Sequence, residues 1–314
     1  VRIRPVAATL GALLGFSALL LPTSAAQAAE SADGPVVVAH RGASTYAPEN
    51  TLAAADMAAE LDTAWVENDV QRTKDGRLVV LHDTDLKRTT NVEEVFPDRS
   101  PWKLADFTLA EVKELDAGSW FSPDYAGARV PTLKQFVKRL TRNDQKLLLE
   151  LKAPELYPGI EAQTLAVLDE AGWLDESHID GKLVIQSFSA DSVKTVHALQ
   201  PSVKTGFLGT PSVADLPEYA EFADQINPNF GGVTADYVKA VHDVRGPHDR
   251  QLELFTWTVN DGPTAARLAG YGVDGIISNS PDVVREATAG SSDSASPDSP
   301  SSDAVPELLS AAAS

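Results

Sequence analysis

Two histidines and three carboxylates stand where they could do chemistry. Glu67 and Asp69 lie one residue apart in Trp65-Val66-Glu67-Asn68-Asp69, and in an extended strand a spacing of two puts both side chains on one face. Glu150 and Lys152 repeat that spacing, opposite the apolar row Leu147, Leu149 and Leu151. His40 follows Val36-Val37-Val38-Ala39, sharing a face with Val36 and Val38, and His82 follows the run Leu78 to Leu81. Three acids in one cavity repel one another and take up protons unless something positive neutralises them. A hard divalent cation does so, and all-oxygen ligation favours Ca2+ or Mg2+, with Mn2+ also suited, over zinc. The alternative is that Glu67, Asp69 and Glu150 are core acids paired with Arg41 and Lys152. Two imidazoles that titrate near neutrality suit a general acid and a general base, as in cleavage of a phosphodiester.

Such residues converge only if their strands end at one place. Short β-branched or leucine-rich runs alternate with segments of helical period along the chain. The strand candidates are 36–40, 65–70, 147–151, 183–187, 205–208, 225–227, 252–258 and 275–278, and the helical segments include 50–61, 132–140, 160–171, 191–199, 235–244 and 262–269. Gly172 stands where a C-terminal cap belongs, Pro263 where a helix opens and Pro201 where one closes. Alternation on this scale predicts an α/β fold, a (β/α)8 TIM barrel, whose active site lies at the C-terminal ends of the strands. No glycine-rich dinucleotide fingerprint follows the first strand, which disfavours an open doubly wound sheet. Residues 77–83 read as a hairpin partner of the second strand, turned at Lys74-Asp75-Gly76. Residues of about 85–130 break the repeat and are expected to form a small insertion after the second strand region, over one end of the barrel.

Composition bounds the partners. With 45 acids against 26 bases the formal net charge is −19, so nucleic acid and anionic membrane are disfavoured and a phosphate substrate calls for a local cation. Cysteine is absent, which removes disulfides, thiol nucleophiles, cysteine zinc sites and a lipidated cysteine anchor. Residues 1–28 combine Arg2 and Arg4, an apolar run from Ala8 to Leu21 and Ala26-Gln27-Ala28, the pattern of a secretory signal cleaved near Ala28. That run is shorter than the roughly 20 residues that span a bilayer, so no stable membrane anchor is expected. The barrel is expected over 35–288. Residues 289–314 are rich in Ser, Asp and Ala and are expected to be disordered. His178, His197, His242 and His248 fall in helical or loop segments and read as surface or packing residues. Phe188 and Trp257 suit either packing on a substrate or packing within the barrel. Trp102, Trp120, Phe121 and Tyr125 of the insertion suit either the wall of a substrate groove or, the reading favoured, packing under a long loop.

In order, His40-Arg41-Gly42-Ala43, Pro48-Glu49-Asn50-Thr51, Glu67-x-Asp69, Thr73-Lys74-Asp75-Gly76 and His82-Asp83-x-x-Leu86-x-Arg88-Thr89-Thr90 resemble the signature of the glycerophosphodiester phosphodiesterase family. Further on, Leu149-Glu150-Leu151-Lys152, Gln186-Ser187-Phe188, Trp257-Thr258-Val259-Asn260 and Gly272-Val273-Asp274-Gly275-Ile276-Ile277 resemble its later blocks, so the resemblance runs from about residue 36 to 284. It implies a (β/α)8 barrel that hydrolyses small-molecule glycerophosphodiesters to sn-glycerol 3-phosphate and an alcohol. It also implies one divalent cation on Glu67, Asp69 and Glu150, phosphate contacts from Arg41 and Lys152, and acid–base catalysis by His40 and His82 through a cyclic phosphate opened by water. The rival of the same fold acts on lysophospholipid or sphingomyelin and releases the cyclic phosphate. The rival of another class is a non-catalytic binding protein of the cell envelope. Oligomeric state is not readable from these residues.

Overall fold

A computed structural model describes residues 34–289. The expected signal segment and the expected tail beyond 289 lie outside the described residues. The strands are β1 (Val36–Ala39), β2 (Trp65–Arg72), β3 (Leu78–Val80), β4 (Lys146–Leu151), β5 (Leu183–Ser187), β6 (Lys204–Leu208), β7 (Gln225–Asn227), β8 (Glu253–Thr256) and β9 (Gly275–Ser278). All except β3 pair in parallel, and β1 bonds to both β9 and β2, so eight strands close into a barrel. The expected (β/α)8 barrel is therefore present. Its strands are the eight read from the sequence, shifted at their ends by up to two residues. The hairpin also forms: β3 runs antiparallel to β2, with Val70 opposite Val80 and Arg72 opposite Leu78.

Period two sorts the strand residues between an outer and an inner layer. Outward residues such as Val66, Leu147, Leu149 and Ile185 pack against the helices Leu52–Glu60, Leu133–Arg142 and Ile160–Glu170 through Ala55, Phe136, Val137 and Leu168. A second apolar cluster, including Ile226, Leu254, Leu268 and Ile276, does the same on the opposite side. Inside the barrel, Val38, Leu148, Val184, Phe255 and Ile277 form an apolar plug. The helices begin where their caps stand. Thr132 and Gln135 close a capping box, Asp261 accepts from the amide of Thr264 ahead of Gly262–Gly270, and Gly172 takes the left-handed conformation (φ 76°) after Ile160–Glu170. Among the described residues, no helix is long and apolar enough to cross a membrane.

The stretch between β3 and the helix Leu133–Arg142 builds a core of its own from Leu86, Leu104, Phe107, Val112 and Leu115, joined to Val79 and Leu81. Its helices are single turns, such as Val92–Val95 and Leu109–Val112, too short for a 3.6-residue period to show in sequence. One carboxylate organises its C-terminal half. Asp116 accepts from the amides of Gly118, Ser119 and Gly127 and from the Ser119 hydroxyl, at 2.7 to 2.8 Å. Burial opposes the charge, but these hydrogen bonds hold the Asp116 carboxyl well below its ordinary 3.8. Asp116→Ala is expected to cost about 1–2 kcal/mol at neutral pH. Because the folded pKa is depressed, this contribution is complete above 3.8 and fades as pH falls through the folded value. Urea melts of both proteins should therefore converge in strong acid, and a constant gap down to pH 2 would contradict the assignment.

Candidate active site

A cleft opens at the C-terminal ends of the barrel strands, with His40, Arg41, Glu67, His82, Glu150 and Lys152 on one part of its wall and Leu208, Trp257 and Ile277 on another. The register explains the meeting. Asp69 on β2 stands level with Glu150 on β4, and Glu150 stands level with Gln186 on β5. One carboxylate oxygen from each of Glu67, Asp69 and Glu150 lies within 4.8 Å of the others, and all three residues are buried. His40 follows β1 directly, and its amide bonds to Ser278 O on β9 at 2.8 Å. Arg41 and Gly42 then turn through positive φ (57° and 81°). A Cβ at Gly42 would lie 2.5 Å from Ala54 in the first helix, so only glycine lets the loop settle there. The turn points the Arg41 amide at Glu67 Oε2, 2.9 Å away.

Each imidazole is oriented through Nδ1. His40 Nδ1 lies 2.6 Å from Asn279 Oδ1, and His82 Nδ1 lies 2.7 Å from Asp83 Oδ1. A ring held in this way presents Nε2 to the cleft. Asp83 is in turn forked by Arg88, which also forks Glu49, and Glu49 accepts from Arg41 Nη1. An ion chain thus joins the His82 support to the Arg41 guanidinium. Lys152 Nζ lies 2.8 Å from Glu150 and 3.7 Å from Asp69, over the Phe188 ring. Phe188 meets Trp257 edge to face at 5.5 Å, and both line the cleft.

Against known proteins, residues 40–283 match the model of the glycerophosphoryl diester phosphodiesterase family. The chain belongs to this family. It is 36% identical over 291 residues to a glycerophosphodiester phosphodiesterase of Bacillus subtilis (strain 168), covering 88% of this chain and 94% of that one. It is 34% identical over 252 residues to a glycerophosphodiester phosphodiesterase of Caldanaerobacter subterraneus subsp. tengcongensis, covering 79% and 96%. Among solved structures, an Oleispira antarctica phosphodiesterase in complex with its product sn-glycerol-3-phosphate superposes with a TM-score of 0.66 at 28% identity, covering 81% of this chain and 96% of that one. This member of the glycerophosphoryl diester phosphodiesterase family is thus an enzyme, a phosphoric diester hydrolase.

In this family member the electrostatics of the site are those of a carboxylate cluster short of positive charge. Burial, then the charges of Asp69 and Glu150, raise Glu67 well above the ordinary carboxylate range. Burial and Asp69 push Glu150 up to about 7. Burial acts on Asp69 in the same sense, but Arg41, His82 and Lys152 hold it low, so it keeps its charge. Burial, then the Arg41 charge, push His40 down to about 4. Asp69 Oδ1 is buried and makes no hydrogen bond among the described residues. Three converging acids, one of them with an orphaned oxygen, form a donor set that fits a hard divalent cation. Arg41 and Lys152 do contact these acids, as the structural alternative requires, yet Arg41 is shared with Glu49, and Arg88 is taken up by Glu49 and Asp83, so acids remain in excess of bases around the cluster.

Other expectations fall as follows. His178, His242 and His248 pair with Asp175, Asp274 and Asp224 away from the cleft, as packing residues would. Trp102, Trp120, Phe121 and Tyr125 do not line the cleft. Trp102 packs against the core of the stretch after β3, and Phe121 meets both Trp120 and Tyr125 edge to face, with Tyr125 Oη donating to Tyr46 O. Asn279 and Gln186 were not singled out in sequence as site residues. Asn279 could have been suspected, because it follows a last strand that must lie beside the first if the barrel closes.

Proposed function

We propose that this chain hydrolyses glycerophosphodiesters to sn-glycerol 3-phosphate and an alcohol, with His40 and His82 as the general acid–base pair. The observation that carries the reading is the convergence of two oriented imidazoles, two cationic side chains and the carboxylates of Glu67 and Glu150 in one cleft, with Asp69 buried against both acids. Glu67, Asp69 and Glu150 would hold one divalent cation, Ca2+ or Mg2+ with Mn2+ also suited, which when bound supplies Lewis-acid screening of the phosphate charge. Arg41 and Lys152 bind the non-bridging phosphate oxygens, and Phe188 and Trp257 cover the carbon skeleton. One imidazole takes the proton of the attacking glycerol hydroxyl as its oxygen bonds to phosphorus. The other donates a proton to the alkoxide that leaves. The cyclic diester so formed is opened by water with the two proton transfers reversed. Asn279 and Asp83 keep both Nε2 atoms aimed at the reacting oxygens. The glycerophosphodiester phosphodiesterases of Bacillus subtilis and Caldanaerobacter subterraneus that the chain resembles, and the sn-glycerol-3-phosphate held by the Oleispira protein, support the choice of substrate.

The arrangement of the chain as an exported barrel of 35–288, with an insertion of about 85–130 and a terminal tail, belongs to the same proposal. Export rests on the basic, apolar and small-residue order of residues 1–28. The deciding experiment is hydrolysis of glycerophosphocholine followed by phosphorus NMR. Accumulation of sn-glycerol 3-phosphate is expected. A cyclic phosphate that persists, or turnover of lysophospholipid in preference to the water-soluble diester, would overturn the proposed reaction.

A further inference from the structure

Beside the carboxylates, starting from the Gln186 that stands level with Glu150, the barrel interior holds a file of amides. Gln225 Nε2 donates to Glu253 Oε2 at 2.8 Å, where Glu253 opens β8 and is also paired with Lys204. Asn227 Nδ2 lies 3.4 Å from Gln225 Oε1 and 2.8 Å from Gln186 Oε1. Gln186, Gln225 and Asn227 are all buried. They meet because β6 carries Gly206 between them: a Cβ there would lie 2.9 Å from Asn227 Nδ2 and 3.3 Å from Gln186 Cβ.

The file has a direction. A carboxylate only accepts, so Glu253 draws the Gln225 nitrogen and turns the Gln225 oxygen toward Asn227. Asn227 must then show its nitrogen to that side, because its oxygen would face two amide oxygens. Its own Oδ1 makes no hydrogen bond among the described residues, which is the cost of this orientation. The Gln186 oxygen is thereby committed to Asn227. The Gln186 nitrogen, which makes no hydrogen bond among the described residues, belongs to a residue that lines the cleft beside Glu150 and Phe188.

Building on the proposed diester hydrolysis, we propose that Gln186 donates its side-chain amide to an oxygen of the substrate's glycerophosphoryl group, and that Asn227, Gln225 and Glu253 are positioning residues that hold it in the donating sense. Gln186 touches substrate and the others act through it. A reversed Gln186 would present an oxygen, which repels the anionic phosphate oxygens and could only accept from a glycerol hydroxyl.

The test is a mutant cycle with two ligands, sn-glycerol 3-phosphate and inorganic phosphate, bound in the presence of calcium and measured by calorimetry, with hydrolysis of glycerophosphocholine followed separately. Gln186→Leu should weaken binding of at least one ligand about tenfold. Weakening of both assigns the contact to a phosphate oxygen, and weakening of glycerol 3-phosphate alone assigns it to a glycerol hydroxyl. Asn227→Asp gives Gln186 an acceptor in place of a donor, turns the amide round and should weaken the same ligand by a similar factor. Combined with Gln186→Leu, it should add nothing. Gly206→Ala, whose methyl displaces the Asn227 nitrogen, serves the same cycle if Asn227→Asp fails to fold. Unchanged affinity for both ligands in Gln186→Leu, or losses that multiply in the double variants, would overturn the inference. A wild-type protein that binds glycerol 3-phosphate but leaves glycerophosphocholine intact would instead overturn the proposed reaction, with the contact still read from binding.

Discussion

Alanine at His40 or at His82 is expected to lower kcat by roughly 10²-fold or more while KM changes little. The imbalance follows from position. In the proposed reaction each ring would meet the reacting oxygens through Nε2, whereas phosphate binding would fall to Arg41 and Lys152. Removing an imidazole therefore removes an interaction made mainly in the transition state. The supports are expected to act in the same direction with smaller effect. Asn279→Ala frees His40 and Asp83→Ala frees His82, and each leaves a ring in place but turned. The two histidine variants are not expected to multiply when combined, because one proton transfer without the other leaves either an uncharged attack or a stranded alkoxide. Rates on glycerophosphocholine, with thermal melts to show that the fold persists, measure this directly. Near-wild-type turnover in either single variant would remove that histidine from the chemistry.

The second large effect concerns the carboxylates. Wild-type protein is expected to gain about 2.7 kcal/mol of stability at a cation concentration a hundredfold above its dissociation constant. Glu67→Gln, Asp69→Asn and Glu150→Gln should each abolish most of that gain and with it most turnover. In chelator, Glu67→Gln and Glu150→Gln should melt no lower than wild type, because each removes a buried acid that its neighbours repel. Differential scanning of the four proteins with and without Ca2+ reads the prediction without any activity measurement. The pH dependence has a definite sign. Glu150, pushed up to about 7 in the cation-free protein, holds its proton below that value, so cation affinity should weaken as pH falls from 8 to 6. Equal melting shifts across that range, or full activity after exhaustive chelation, would remove the cation from the account.

Much of this architecture was legible from short range. Strand period decides which face a side chain occupies, and no later contact alters that, so Glu67 with Asp69 and Glu150 with Lys152 were assigned to common faces from spacing alone. The eight strands were readable for the same reason, since parallel strands buried on both sides are dense in Val, Ile and Leu. Their ends were less so. β1 stops at Ala39 and β8 at Thr256, which leaves His40 and Trp257 on the loops above the barrel. The insertion stayed opaque because single-turn helices carry no period and its core draws on Val79 and Leu81 from outside it.

By itself, then, the sequence determined the strands, the facing of their acids and the ordered motifs that mark the family. Tertiary closure decided everything that depends on distant partners. Asn279 reaches His40 across 239 positions because β9 lies beside β1, Arg88 joins Glu49 to Asp83 because the segment after β3 folds back over the first loop, and Gln186 meets Asn227 across the missing side chain of Gly206. Facing is a property of one strand and its period, whereas the partner of an imidazole or an amide is set by which strands become neighbours when the barrel closes.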